Sequence, residues 1–273
     1  MNSKLPMTVV HSEDSEALQH RLSSALALGA RLNVVERISS TNAVLKESAA
    51  DSHECFLLAR EQTAGVGRRG GIWQSPPSGN LYLSYCVHSD QPIDVLSRWP
   101  LGVAVTLAEH LHKAFGIDCQ IKWPNDLYLQ GQKCGGILLE TVHLSAGKCA
   151  VVVGVGINIV SYPSFEALQR PATCLNDHVE TDLDLASVAE VTMAALSEAC
   201  RLSDAEVKTL LSIAWPPRDF LNGKKVYLEA LGADFGIARG LSPEGGLQIE
   251  FSGKLETLYS GEVSLGHVES ERA

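Results

Sequence analysis

The chain has 273 residues and a formal net charge of −10, with hydrophobic residues at 45% and charged residues at 20%. A chain of this size and balance buries a sizeable core and forms one large domain with room for a small second one. Its acidity excludes nonspecific attraction to nucleic acid or an anionic membrane as the main business and leaves only local basic patches open. The seven cysteines, Cys55, Cys86, Cys119, Cys134, Cys149, Cys174 and Cys200, are odd in number. They show neither a C-x-x-C pair nor histidines at finger-like spacing, so they read as small buried hydrophobes in a reducing compartment. No basic stretch followed by an apolar run opens the chain, and no segment approaches about eighteen uninterrupted apolar residues. The expected setting is the cytoplasm, with no membrane contact.

In chain order, "SEDSEALQHRLSSALALG" places Leu18, Leu22 and Leu26 on one helical face, with Ser12 or Ser15 as cap and Gly29 as stop. "RLNVVERI" reads as a strand leading into the short helical "SSTNAVLKESA". "CFLLAREQT" and "GNLYLSYCV" are strands flanking a glycine-rich loop. "WPLGVAVTLAEHLHKAF" is a helix with Pro100 in its first turn and Gly116 after its end. Then come "CQIKW", stopped at Pro124, "NDLYLQGQK", turning at Gln130-Gly131, "CGGILLETV" and "KCAVVVGVGINIV", all strands. Consecutive strands without crossover helices predict a mixed or antiparallel sheet. Two helical runs, "DLASVAEVTMAALSEACRLS" and "DAEVKTLLSIAW", cover one face. After Pro216-Pro217, alternating strands and Gly/Asp turns from roughly Asp219 to Val268 predict a small all-β barrel.

Four clusters hold the polar residues that carry chemistry. In "GVGRRGGIW", Gly65 to Trp73, glycines let backbone N–H groups approach an anion while Arg68 and Arg69 offer charge-assisted bonds; the alternative is a solvated basic turn. In "IKWPNDLYLQGQKCGG", Lys122 ends a strand, Asn125 and Asp126 suit an Asx turn, and Lys133 stands beside Gly135-Gly136. That lysine either points over a pocket floored by bare backbone or is an exposed hairpin lysine. Asn158 of "GVGINI" ends a buried run and serves a ligand or a cap. "SSTN", Ser39 to Asn42, meets a neutral polar ligand or caps a helix. The nine histidines fall outside all four clusters, and no nucleophile elbow occurs. What remains are groups that hold and neutralise anions while a bond forms elsewhere.

Taken together and in this order, "SSTN", "EQTAGVGRRGGIWQSPPSGNLYLS", "IKWPNDLYLQGQKCGGILLE", "VVVGVGINI" and "GEVSL" resemble the signature segments of biotin-protein ligases (biotin-[acetyl-CoA-carboxylase] ligases), from about Arg31 to Leu265. The resemblance implies an α+β fold: a mixed sheet covered by helices, class II aminoacyl-tRNA synthetase-like, as in biotin/lipoate ligase catalytic domains, with a C-terminal SH3-like β-barrel. The implied division is a helical extension over 1–30, a catalytic domain over 31–217 and the small domain over 218–273. It implies ATP, biotin and Mg²⁺ as substrates and cofactor, and a biotin carboxyl carrier protein domain of acetyl-CoA carboxylase as partner, for a monomer or homodimer.

By motif, the resemblance sets Ser40, Thr41 and Asn42 against the ureido ring with Gln62 opposite. Gly65, Val66, Gly67, Arg68 and Arg69 close over the carboxylate and phosphate, next to Trp73. Lys133 lies close to the biotin carboxylate beside Gly136, and Lys122, Asn125, Asp126 and Asn158 lie on the nucleotide side, with Asp126 on the metal. Lys133 and Arg68 are the expected catalytic pair, and Glu262 and Arg239 are the residues through which the small domain is expected to complete the site or face the carrier. Family members often carry arginine where this chain has Val66, a position expected to act through its backbone N–H. The thirty or so residues before "RLNVVERI" are too few for a winged helix, so no operator binding is expected. The rival readings are a lipoate-protein ligase, separated by the ring it accepts, and a biotin-responsive repressor.

Overall fold

The computed structural model describes residues 12–24, 26, 29–77, 79–168, 170–227, 235–261 and 263–265. The elements run α1 (Glu13–Ser23), β1 (Arg31–Ile38), α2 (Thr41–Glu47), β2 (Cys55–Gln62), β3 (Leu81–Ser89), α3 (Ile93–Leu96), α4 (Trp99–Phe115), β4 (Gln120–Lys122), β5 (Asp126–Leu129), β6 (Gln132–His143), β7 (Cys149–Ile157), α5 (Phe165–Leu168), α6 (Leu185–Ala199) and α7 (Asp204–Ala214). A second set of strands follows: β8 (Lys225–Tyr227), β9 (Phe235–Leu241), β10 (Leu247–Phe251), β11 (Lys254–Leu258) and β12 (Ser264–Leu265).

Local chemistry accounts for most boundaries. Ser12 and Ser15 form a reciprocal capping box on α1, which ends at Ser23, short of Gly29. Helix α4 has proline in its first turn and closes on Gly116 at φ 71°, a left-handed cap that glycine adopts without a Cβ clash. The β5–β6 turn uses Gln130 and Gly131, both at positive φ, the pair of conformations a tight hairpin requires.

The large sheet is mixed and seven-stranded, ordered β1-β2-β3-β7-β6-β5-β4. Only β1 and β2 pair in parallel; the remaining neighbours are antiparallel. Helices α4, α6 and α7 pack together over one face and bury the main core there. The opposite face is covered differently. Short helix α2 seals Val35, Leu57, Cys86, Ala150 and Val152 beneath it. Further along β7 the same row of positions becomes Gly154 and Gly156. Side chains on that face shrink to nothing beyond α2, and the sheet surface is left as a floor.

The expected small barrel requires correction. The C-terminal strands form an open five-stranded sheet, β11-β10-β9-β8-β12, and among the described residues no sheet closes into a barrel. Closure requires the two edge strands to hydrogen-bond to each other. Here β12 pairs with β8 and β11 with β10, and among the described residues no ladder joins β11 to β12. The sheet's inward side chains, Val226, Ala238, Leu247 and Ile249, join the main core. Among the described residues no helix is long and apolar enough to cross a membrane.

Candidate active site

On the floor beyond α2 lies a cavity of about 670 Å³, walled by α2, the 65–73 loop, the turn before β5, the 170–171 segment and the strand at 263–265. Its chemistry changes along its length, neutral and polar at one end and cationic at the other.

The polar end is built where α2 begins. Ser40 caps the helix, its hydroxyl accepting from the Ala43 N–H at 3.4 Å. Thr41 and Asn42 face a network instead. The Thr41 N–H donates to Gln62 Oε1 at 2.8 Å, and the Gln62 amide donates to Ser75 Oγ at 2.9 Å. Buried Ser84 donates to Asn42 Oδ1 at 2.6 Å and lies 2.7 Å from Thr41 Oγ1. The Asn42 amide donates to Glu140 at 3.0 Å, and Lys46 donates to the other Glu140 oxygen at 2.5 Å. Gly154 is required here, because a Cβ would stand 2.3 Å from Asn42 Oδ1.

The middle is a lysine over bare backbone. Lys133 is buried, 7% exposed, and is not the exposed hairpin lysine that its place beside a turn allows. Its ammonium pairs with Asp126 and lies 5.5 Å from the Trp73 ring centre. Burial pushes the ammonium below its ordinary range, and the Asp126 carboxylate opposes that shift. Gly136 lies beneath: a Cβ there would meet Asp126, Lys133 and Trp73, each at 3.4 Å.

The loop above folds back on itself. The Trp73 N–H donates to the Gly65 carbonyl at 2.9 Å, and Val66 bridges to Ile72. Gly65 permits this approach, since a Cβ would lie 2.3 Å from the Trp73 carbonyl. Trp73 is thereby laid across Gly156. Arg68 donates to Asn125 Oδ1 at 3.4 Å and to the Gly261 carbonyl at 3.5 Å, linking loop, floor and C-terminal sheet. Asn125 is held in turn by its amide donating to the Ile137 carbonyl at 2.5 Å.

Of the residues singled out in the sequence, Ser40, Thr41, Asn42, Gln62, Val66, Gly67, Arg68, Trp73, Lys122, Asn125, Asp126, Lys133 and Gly136 line this one cavity. Three do not. Gly65 forms the loop's narrow base, and Arg69 is exposed at the tip with φ 52°. Asn158 donates to the Thr173 carbonyl at 3.0 Å, and its own carbonyl accepts from Leu175, which pins the 171–175 segment against β6. Arg239 pairs with Glu250 on the C-terminal sheet. Glu262 lies outside the described residues.

Sequence reasoning missed Ser84, Glu140 and Arg170. Ser84 was signalled by a lone hydroxyl in an apolar strand, and Glu140 by a carboxylate in a buried one. Arg170, which lines the cavity beside Pro171, carries no local signature. The floor glycines did have one: Gly154 and Gly156 alternate in an otherwise valine-rich strand, which leaves one face bare.

Comparison with known proteins agrees with this architecture. Residues 34–158 match the biotin/lipoate A/B protein ligase family, and residues 223–266 match the biotin protein ligase C-terminal domain. The chain is 31% identical over 243 residues to the bifunctional ligase/repressor BirA of Escherichia coli, covering 88% of this chain and 76% of that protein. It is 29% identical over 259 residues to the biotin--[acetyl-CoA-carboxylase] ligase of Mycobacterium tuberculosis, covering 92% and 94%. Among solved structures, the biotin protein ligase of Aquifex aeolicus in complex with biotin and ATP superposes with a TM-score of 0.73 at 31% identity, covering 86% of this chain and 98% of that one. The order of motifs, the single cavity they line and these likenesses place the chain in the biotin-protein ligase family.

Proposed function

We infer that the chain is a biotin-[acetyl-CoA-carboxylase] ligase working in two half-reactions at this cavity. A biotin carboxylate oxygen attacks the α-phosphorus of ATP and pyrophosphate leaves. The ε-amine of a carrier lysine then attacks the acyl carbon of the adenylate, AMP leaves, and the amine loses its proton. The observation that carries this reading is that Lys133 and Arg68 face one cavity whose far end is neutral and hydrogen-bonding.

In this reading Ser40, Thr41, Asn42 and Gln62 hold the ureido ring. The valeryl chain runs from that end along the cavity beside Trp73, and this brings its carboxylate to Lys133. Two anions must meet despite their repulsion, and Lys133, Arg68 and Lys122 stabilise the charge that builds on phosphorus. Asn125 and Asp126 belong to the nucleotide side. Among the described residues no group of three His, Cys, Asp or Glu side chains gathers to hold a metal. Asp126 is the residue that would hold a magnesium ion, which would supply charge neutralisation. The 65–73 loop excludes water from the mixed anhydride until the carrier arrives.

The domain over 31–217 supplies the substrate-binding groups, and the small domain completes the site through Gly261, which Arg68 reaches, and through Val263, Ser264 and Leu265. The partner is the biotin carboxyl carrier domain of acetyl-CoA carboxylase, and the setting is the cytoplasm, consistent with seven free cysteines. The test is incubation with ATP, Mg²⁺, biotin and a carrier domain, followed by mass spectrometry. One added biotin on a single lysine, with biotin-dependent pyrophosphate release, is expected. Lipoyl transfer in place of biotinyl transfer would overturn it.

A further inference from the structure

We infer that Glu140 is a positioning residue that fixes the hydrogen-bond polarity of the cavity's neutral end, so that this end selects rings carrying N–H donors. The inference rests on the ligase reading above and adds the physical origin of its ring specificity.

The argument is a count of protons from both ends of one buried chain. A carboxylate beside an ammonium only accepts. Glu140 takes Lys46 on one oxygen at 2.5 Å and Asn42 Nδ2 on the other at 3.0 Å, so the Asn42 amide nitrogen must face it. The second hydrogen of that nitrogen points to the Leu138 carbonyl at 3.4 Å. Asn42 Oδ1 is thereby turned to Ser84 and, as an amide oxygen, can only accept. Ser84 is fully buried, and its single hydroxyl proton is committed to that contact.

From the other end, Ser75 donates to the Trp73 carbonyl at 3.1 Å and must accept from Gln62 Nε2 at 2.9 Å. This turns Gln62 Oε1 to Thr41. The Thr41 hydroxyl stands 2.7 Å from Ser84 Oγ and donates to Gln62 Oε1 at 3.1 Å, an oxygen that can only accept. Its proton is thereby spent, and what it presents to the cavity is a lone pair. A cyclic urea brings N–H donors to that position. A dithiolane ring brings none and would leave the buried acceptors unpaired.

Glu140→Gln tests this, because a carboxamide can also donate. Asn42 is then free to turn over, the Ser84 proton is released, and the polarity is no longer unique. The expected result is a rise in the biotin Kd of roughly tenfold, with transfer from preformed biotinyl-adenylate within about twofold of wild type and an unchanged melting temperature. Lys46→Met removes the ion pair but keeps the carboxylate that orients Asn42, and it should retain near-wild-type affinity. A Glu140→Gln Kd within about twofold of wild type overturns the inference, as does a Lys46→Met loss of the same size, which would assign the effect to the ion pair.

Should Glu140→Gln not fold, the wild-type chain decides with a biotin analogue whose ureido N–H groups are replaced by oxygen. A loss of about a hundredfold or more is expected, and equal binding overturns the inference. A wild-type chain that binds no biotin overturns the ligase reading and this inference together, whereas an active enzyme with an indifferent Glu140→Gln variant overturns this inference alone.

Discussion

Gly156→Ala isolates what the bare floor of the cavity does. A Cβ built on Gly156 would lie 2.4 Å from the Trp73 ring at its nearest atom and 2.6 Å from two others. Ordinary carbon contacts are about 3.5–4.0 Å, so the ring must retreat by about 1 Å. The Gly156 backbone sits mid-strand between β3 and β6, paired with Tyr82 and Gly136, and cannot yield. Trp73 rides on a loop, held there by its N–H to the Gly65 carbonyl and by Ser75 on its own carbonyl, and it gives way instead. Overpacking of this kind costs about 1–3 kcal/mol. Because the ring moves and the sheet does not, the cost falls on the position from which Trp73 covers the cavity. Release of biotinyl-adenylate should accelerate by roughly 5- to 150-fold, while the melting temperature stays within about 4 °C of wild type. Chasing preloaded enzyme with excess unlabelled biotin and ATP measures the release. A folded Gly156→Ala protein that keeps its intermediate as long as wild type would show that Trp73 does not cover the ligand.

Three other outcomes are expected. Lys133→Met should abolish biotin-dependent pyrophosphate release, and it should also lower stability by about 1–3 kcal/mol because Asp126 is left buried without its cation; turnover near wild type would refute the role given to Lys133. Arg68→Gly should still form adenylate but leak it, so that biotin appears on lysines of bystander proteins; modification confined to the carrier would contradict the loop's covering role. Asp184 caps α6 by accepting from the Ser187 N–H at 2.8 Å, and hydrogen bonds from Ser187 and then Arg21 hold its carboxyl at about 2, below the ordinary 3.8. Asp184→Ala should cost about 1 kcal/mol at neutral pH, with little added by the exposed Arg21 pair. Since the folded-state value is the depressed one, the cost is complete above the ordinary value and vanishes as pH falls through about 2; denaturant midpoints showing a pH-independent difference would refute the assignment.

Local chemistry alone determined the elements of this protein. Pro100 and Gly116 bound α4, Gln130-Gly131 turns the β5–β6 hairpin, and uninterrupted strands without crossovers dictate antiparallel neighbours. The glycine, arginine and lysine clusters were likewise legible, because close backbone approach and anion binding both demand particular residue types at particular spacings. Tertiary structure decided three things that local pattern does not carry. Whether the C-terminal strands close depends on two distant edges meeting, and among the described residues β11 and β12 do not pair. Whether Lys133 is exposed depends on Trp73 and Asp126 arriving above Gly136. The polarity of the ring-binding end depends on Ser84 and Glu140, which lie 42 and 98 residues from Asn42 in the chain. Proton direction in a buried network belongs to the network as a whole, so it exists only once the sheet has brought these side chains together.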